Sequence, residues 1–373
     1  MRRSVTSNGG IAISHFPDAE QAAYDGASMM DADCGGHDAE LGRREAAWNL
    51  FLETHPGAGF MQTTWWANFM AARGWDHFGV VFNDGETIVG GARVMRKVFA
   101  PGHCFYYVPE GPVFSQDEND ITEVFEHVMA FIESKRSQDA LRVSHLRIEP
   151  RWEHLPVCAD AFRRSTGWDE PRNTLCIDLS PPESAILAQM KPKGRYNIGV
   201  ARKHGVSITD DTSPGGIADF LSIYRETVAR HNLHENSEEY FLELISRLAH
   251  LERGSVFFAE YGGKRIASAL VVFFGLRATY LWGASLAEHR NVMAPYLLHF
   301  EIMKTAKARR CEWYDLYGIA PPDQPDHRWA NISTFKRKFG GRDFNFVPTM
   351  DYIYDAAAYD RYREYRRKKY ARS

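Results

Sequence analysis

The chain has 373 residues, of which 44% are apolar and 25% charged, with a formal net charge of −3. This is the composition of an ordinary globular protein long enough for two domains, and its slight acidity argues against a protein that coats nucleic acid over its whole surface, so basic patches act locally. Five widely spaced cysteines (Cys34, Cys104, Cys158, Cys176, Cys311), odd in number and never paired as CxxC, indicate neither a disulfide framework nor a zinc knuckle and point to a reducing compartment.

Residues 1–40 are rich in Gly, Ala, Ser and Asp and read as a flexible or loosely docked extension. Met1-Arg2-Arg3 opens like an export signal, but Ser4 to Glu20 holds no apolar core, and no apolar run long enough to cross a bilayer occurs later. A cytoplasmic protein without a membrane span is expected. Helical periodicity begins at Glu45 to Thr54 and resumes over Gln62 to Met70, where Thr63 or Thr64 caps a helix whose Trp65, Phe69 and Met70 read as core. Phe78 to Phe82 and Thr87 to Val98 read as strands joined by Asn83-Asp84-Gly85-Glu86, a hairpin signal. A helix from Ile121 to Ser137 and a strand from Arg142 to Glu149 follow.

The second half repeats this plan. Val256 to Glu260 and Arg265 to Phe274 are strands around Tyr261-Gly262-Gly263-Lys264, Ala278 to Gly283 is a third strand, Met293 to Arg309 a helix and Glu312 to Tyr317 another strand. Ile88-Val89-Gly90-Gly91-Ala92 aligns with Ile266-Ala267-Ser268-Ala269-Leu270, small residues in a strand centre where another backbone or a ligand approaches closely. Two homologous α/β domains with mixed sheets are expected, at 41–165 and 166–340. The remainder, 341–373, reads as a strand from Phe344 to Tyr354 and a basic helix from Tyr359 to Tyr370 that packs on the first domain.

Two basic clusters stand out. In Trp329 to Gly341, Lys336, Arg337 and Lys338 sit between Phe335 and Phe339, ahead of a Gly340-Gly341 stop. Helical spacing of Ile332, Phe335 and Phe339 docks that face and turns Lys336 and Lys338 to its edges, where each cation faces solvent or meets an anion. The second cluster, Met190 to Val206, contains no acidic residue, and Arg195 and Arg202 lie seven positions apart on one helix face. Arg195 near the helix start adds its charge to unpaired amides that favour a phosphate. A plain solvated basic face is the other reading of each cluster.

The order and spacing of Arg195-Tyr196-Asn197-Ile198, Gly283-Ala284-Ser285, Met293 to Leu298, Tyr314-Asp315-Leu316, Gly318-Ile319, Phe335-Lys336 and Phe339-Gly340-Gly341 resemble the FemABX family of tRNA-dependent aminoacyltransferases. The resemblance runs from about Gln62 to the C-terminus and is strongest in the second half. It implies two tandem domains of the GNAT type with the acceptor groove between them, and transfer of an amino acid from aminoacyl-tRNA to an amine, with aminoacyl-tRNA as co-substrate and no cofactor. It further implies that Lys336 and Phe335 sit beside the reacting carbonyl, that Arg195, with Tyr196 and Arg202, meets the acceptor's phosphates, and that Tyr280 and Trp282 line the acceptor channel. Arg337, Lys338, Arg342, Arg366 and Arg367 are the candidates for the tRNA backbone.

The first half departs from the family. Members that take nucleotide-linked muropeptides carry Pro-Arg-Gly-Pro with Asp three residues beyond it. Here Pro109-Glu110-Gly111-Pro112-Val113-Phe114-Ser115 sets Glu110 and Ser115 at those positions, and no lysine accompanies Trp66 to Met70. The acceptor is therefore either a peptidoglycan precursor or a peptide antibiotic intermediate, with Glu110 and Ser115 as specificity positions. An acyl-CoA N-acyltransferase and a non-catalytic RNA- or peptide-binding module are the competing classes. The first needs glycines at a pyrophosphate-binding helix start, where Arg290-Asn291-Val292-Met293-Ala294-Pro295 offers Met and Pro. His231-Asn232-Leu233-His234 lacks a reinforcing carboxylate or cysteine, so no metal is assigned. Asp315 reads as a structural hydrogen-bonding carboxylate, and the Asn331-Ile332-Ser333 sequon lacks a secretion signal.

Overall fold

The computed structural model describes residues 12–16, 34–115, 118–165, 167, 170–231, 236–322, 324 and 326–370. The chain divides into two compact units, one made of the segments 1–172 and 346–372 and the other of 173–345. In the first, β1 (Ala12–Phe16) is followed by α1 (Cys34–Thr54), α2 (Thr64–Ala71), β2 (Asp76–Asp84), β3 (Thr87–Ala100), β4 (His103–Pro109), β5 (Val113–Phe114), α3 (Glu118–Gln138), β6 (Arg142–Glu149) and β7 (Arg163–Arg164). The second unit contains β8 (Asn173–Asp178), α4 (Glu183–Gln189), α5 (Pro192–Lys203), β9 (Ser207–Asp210), α6 (Pro214–His231), α7 (Glu238–His250), β10 (Gly254–Tyr261), β11 (Lys264–Phe274), β12 (Arg277–Ser285), α8 (Ala294–Ala308), β13 (Trp313–Gly318), α9 (Ala330–Lys336) and β14 (Arg342–Asn345). The chain then returns to the first unit with β15 (Met350–Ile353) and α10 (Ala356–Tyr370).

Each sheet is antiparallel except at one place. The first runs β1-β2-β3-β4-β6-β15-β7 with β5 folded back on β3, and the second runs β14-β8-β13-β12-β11-β10-β9. The parallel neighbours are β4 with β6 and β12 with β13. A parallel pair needs a crossover, and α3 and α8 supply it at matching positions. The internal repeat is thus a repeat of topology: β2-β3-β4-α3-β6 corresponds to β10-β11-β12-α8-β13.

Local chemistry accounts for these elements. Thr63 caps α2, its hydroxyl accepting from Trp66 N at 3.3 Å, and α2 buries Trp66 and Phe69 while Trp65 and Met70 are half-buried. Gly85 at φ 59° closes the β2–β3 turn, and Gly262 and Gly263 at φ 59° and 77° close the β10–β11 turn, conformations in which a Cβ is strained. The first core packs Val80, Val94, Tyr106, Val108, Leu146 and Ile148 of the sheet against Val128 and Ile132 of α3. Burial of each such side chain contributes roughly 1.5–3 kcal/mol. The small residues Gly90 and Gly91 are filled by the chain itself, since a Cβ on Gly90 would meet Val113 O at 2.9 Å where β5 folds back.

Two expectations change. The tail strand expected from Phe344 to Tyr354 is two strands, β14 pairing with β8 in the second unit and β15 lying between β6 and β7 in the first. The break spans Phe346 to Thr349 and includes Pro348, which has no amide to give a ladder. Of residues 1–40, β1 is an edge strand paired with β2 from Ala12↔Asn83 to Phe16↔Gly79, and α1 starts at Cys34; the rest lies outside the described residues. As expected, α10 docks on the first unit, through Tyr362, which is 4.8 Å from Phe105 and 4.4 Å from His145 between ring centroids, while Arg361, Arg363, Arg367, Lys368 and Lys369 are exposed.

Candidate active site

The second unit contains a place where two paired strands come apart. β12 and β13 are in register only over Arg277↔Trp313, Ala278↔Tyr314 and Thr279↔Asp315. Beyond those pairs β12 carries an extra residue, Leu281, opposite the Leu270–Val271 step of β11, and β13 shifts register against β8 between Asp315 and Gly318, with Tyr317 at φ 60°. Asp315 holds that bulge: its carboxylate accepts from Tyr317 N at 2.8 Å, from Arg277 Nη1 at 3.2 Å and from the Thr174 hydroxyl. This is the structural role expected of Asp315.

Lys336 reaches into the divergence. Its Nζ donates to Gly318 O of β13 at 2.6 Å and lies 5.9 Å from the centre of the Tyr280 ring of β12, and the residue is 6% exposed. The expectation that Lys336 sits at a helix edge is therefore corrected. On α9 the buried positions are Ser333 and Lys336, whereas Ile332 is 39% exposed. The helix is rotated because Ser333 is bonded on both sides, its hydroxyl donating to Trp329 O at 2.6 Å and accepting from Ala320 N at 2.7 Å. Burial pushes the Lys336 amine down to about 7 against the opposing pull of Asp315. After it, Gly340 and Gly341 end the helical run at φ 83° and 80°, as expected, with backbone of Gln189 and Cys176 too close for a side chain.

An aromatic cluster adjoins this residue. His299 of α8 lies 4.6 Å from Tyr280, 5.6 Å from Phe335 and 5.0 Å from Phe339 between ring centroids, and its Nδ1 shares a 2.7 Å hydrogen bond with the Tyr314 hydroxyl. Burial, helped by the Lys336 charge, holds His299 down at about 3, so it is neutral. Burial likewise keeps the Tyr280 phenol protonated. Trp282 is half-buried against Phe241 at 5.4 Å and Tyr240 at 5.9 Å. Phe335, Lys336 and Tyr280 are thus brought together, with Trp282 two residues along the same strand. His299, Tyr314 and the Gly318 carbonyl were missed, and the only signal for them was the position of Gly318 and Tyr314 within the motifs carrying the family resemblance.

The basic helix α5 packs against the same segment at its start, where Lys191 N donates to Lys338 O at 3.0 Å and a Cβ on Gly194 would lie 2.5 Å from that oxygen. Its cations are more occupied than the sequence suggests. Arg195 Nη1 donates to Ala188 O at 3.1 Å and to Met190 O, tying down the end of α4, and Arg202 pairs with Glu301 of α8 at 3.3 Å. The cluster lacks acidic residues in sequence, but α8 brings one in space. Tyr196 is 70% exposed. Among the proposed tRNA contacts, Arg337 pairs with Asp343 at 2.6 Å, Lys338 donates to Tyr296 OH at 3.0 Å, Arg342 stacks 4.1 Å over Phe344, Arg366 donates to Tyr362 OH at 3.3 Å, and Arg367 is exposed.

In the first unit, Glu110 follows β4 at φ 50° and is buried. Its carboxylate accepts from Met61 N at 3.0 Å and from Arg151 Nη1 at 3.0 Å. Arg151, just beyond β6, is thus the buried counter-ion of Glu110. Gln62 ties the same corner, donating to Pro109 O at 2.5 Å and accepting from Arg93 N at 2.7 Å. Ser115 N donates to Val89 O at 2.7 Å. The expected helix start at Arg290 to Pro295 has Met293 at φ 59° where a glycine is usual. His231 to His234 lies outside the residues whose side chains are described, and among the described residues no helix is long and apolar enough to cross a membrane.

The paired mixed sheets, each with one parallel step crossed by a helix, define two tandem GNAT-like units. A crystal structure of FemX shares this fold at a TM-score of 0.76, with 17% sequence identity over 85% of this chain and 97% of that one. The profile of the FemAB family matches residues 44–155, 160–251 and 243–366, and the chain belongs to that family. It is 20% identical to a lipid II:glycine glycyltransferase of Staphylococcus saprophyticus subsp. saprophyticus over 390 residues, covering 84% of this chain and 93% of the relative. With the lipid II:glycine glycyltransferase of Staphylococcus haemolyticus the identity is 21% over 391 residues, covering 83% and 92%.

Proposed function

We propose a donor and an acceptor for a reaction whose class follows from the family: the chain is an aminoacyltransferase that forms a peptide bond. The donor is aminoacyl-tRNA, and the acceptor is an amine of a peptide-containing precursor, in the cytoplasm. The observation that carries this reading is the Lys336 amine, set where β12 and β13 diverge and next to Phe335 and Tyr280. The acceptor amine attacks the ester carbonyl, an oxyanion develops, and the ribose oxygen leaves. A preorganised donor at the oxyanion supplies roughly 2.7–4 kcal/mol, and Lys336 is our assignment for that donor. Holding ester and amine together supplies roughly 7–11 kcal/mol more, which outweighs the ~10²- to 10⁴-fold of a general base.

The relatives' name supports a peptidoglycan precursor as acceptor. Glu110, carboxylate-bearing and tied to Arg151, favours a second acceptor, a peptide antibiotic intermediate, because a carboxylate does not attract the phosphates of a nucleotide-linked muropeptide. The nucleophile is an α-amine: with a pKa near ~7.8 roughly one molecule in six is neutral at pH 7, whereas for a lysine side chain near ~10.4 fewer than about one in a thousand is. Incubation with a charged tRNA pool and both acceptor types, read by mass spectrometry, is expected to show an aminoacylated peptide that RNase treatment abolishes. Transfer that survives RNase and requires acyl-CoA, or that prefers an ε-amine, overturns the reading.

A further inference from the structure

We infer that Lys336 carries the proton of the reaction as well as the charge: its amine takes a proton from the attacking nitrogen and delivers it to the leaving ribose oxygen. This rests on the aminoacyl-transfer reading and adds a step to it. The argument begins with the company the amine keeps. Among the described residues the Lys336 amine makes one hydrogen bond, to Gly318 O, and no carboxylate lies within ion-pair distance of it. Asp315, on the same strand as Gly318, is committed to Tyr317 N, Arg277 and Thr174. An ammonium has three protons to place, and a single carbonyl accepts one of them. Leaving the others without acceptors in a residue only 6% exposed costs several kcal/mol, roughly, whereas a neutral amine donating to Gly318 O keeps a lone pair free for a proton.

The groups facing Lys336 from each packed element agree. From β12 comes the protonated Tyr280, and from α8 the neutral His299, whose Nδ1 is engaged by Tyr314 of β13. β13 also brings Asp315, which favours the ammonium and is itself ion-paired to Arg277 of β12. On its own segment Arg337 is paired with Asp343 and Lys338 donates to Tyr296. Burial wins, and the amine sits at about 7, able to hold or release a proton near neutrality. No other residue expected at the reacting centre or the acceptor site offers this. Phe335 and Trp282 hold no basic lone pair, Arg195 and Arg202 stay charged, Tyr196, Tyr280 and Ser115 are hydroxyls, and the Glu110 carboxylate is bound by Arg151 and Met61 N.

The step balances without a co-reactant. The acceptor nitrogen's lone pair forms the C–N bond while the carbonyl pair moves to oxygen. The nitrogen's proton passes to Lys336 Nζ, and the resulting ammonium stabilises the oxyanion. The carbonyl then re-forms, the C–O bond to ribose breaks with its electron pair, and Nζ returns the proton to that oxygen, leaving the lysine neutral.

The test is single-turnover transfer by the full chain from aminoacyl-tRNA, for wild type, Lys336→Arg and Lys336→Met, from pH 5.5 to 9. Arginine keeps the positive charge but holds its proton throughout this range. The expected result is a wild-type rate that falls about a hundredfold per pH unit well below 7, since the acceptor amine and Lys336 must both be neutral, against about tenfold per unit in the variants from the acceptor amine alone, and a loss of ~100-fold or more in both variants near neutrality. A Lys336→Arg rate within about tenfold of wild type overturns the proton transfer and leaves a purely electrostatic Lys336. Titration of ¹⁵N-lysine-labelled protein by NMR needs no turnover, and it is expected to show one Nζ resonance titrating near 7 that Lys336→Met lacks; its absence overturns the inference even if arginine fails to fold. A wild-type chain that makes no product at any pH rejects the transferase reading itself.

Discussion

Burial acts on Lys336 and on Glu110 with opposite consequences, because one lacks a counter-ion and the other has one. The folded-state pKa of Lys336 falls from 10.5 to about 7, so the folded protein binds fewer protons than the unfolded chain across that window. Stability attributable to this group therefore drops as pH falls from 10.5 toward 7, by about 1.36 kcal/mol per unit, and the whole penalty is present below 7. Lys336→Met removes the penalty: at pH 6 it is expected to raise the unfolding midpoint of the second unit by several degrees in calorimetry, with a much smaller gain near pH 10. In contrast, Glu110 and Arg151, with 7% and 8% side-chain exposure at 3.0 Å, stabilise each other. Glu110→Gln is expected to cost the first unit about 3–5 kcal/mol in urea unfolding because it leaves a buried guanidinium facing an amide, and Glu110→Gln with Arg151→Met is expected to cost less than the sum of the single changes.

At the scale of elements, the site is made by two strands losing register, and a glycine makes room for it. A Cβ on Gly283 would overlap the Tyr280 hydroxyl, so Tyr280 lies across the strand position that Gly283 leaves open. Gly283→Ala is expected to displace the Tyr280 ring from Lys336, lowering single-turnover transfer about tenfold or more at a stability cost of roughly 1–3 kcal/mol, as read by rate and by urea midpoint on the same sample. Much of this level was legible in sequence. Alternation and turn residues marked β2, β3, β10 and β11, and 3.6-residue periodicity marked α3 and α8, because those signals depend on neighbours only a few positions apart. The rotation of α9 was not, since Ile332 looks like part of its inner face until Ser333 is bonded to Trp329 O and Ala320 N. The same holds for Arg202, whose partner Glu301 is ninety-nine positions away. Pairings of that range are set by the packing of α5 on α8, and no local pattern announces them.

At the scale of the molecule, the two topologically matched units differ in how the chain supplies them. The second is one continuous stretch, 173–345, whereas the first closes only when the chain returns as 346–372. What returns is not peripheral. β15 fills the position between β6 and β7, with Met350 opposite Ile148 and Ile353 opposite His145. Its Asp351 is buried, and its carboxylate receives Arg147 Nε at 2.8 Å and Arg147 Nη2 at 3.0 Å; these bonds hold Asp351 below the usual carboxylate range even though burial alone would raise it. Tyr359 of α10 adds a third bond to Asp351 at 2.6 Å, and Tyr362 covers Phe105 and His145. Ending the chain after Asn345 would strip β6 of its neighbour and leave the buried Arg147 without its carboxylate, a loss of about 3–5 kcal/mol before the exposed sheet surface is counted. That alone approaches the whole stability of a typical domain. The truncated chain is therefore expected to lose the cooperative transition of the first unit while keeping that of the second, seen as one calorimetric peak in place of two and as rapid proteolysis confined to residues before Asn173. Retention of both transitions would mean that the first sheet is held by β1 to β6 alone and that the returning segment serves another purpose.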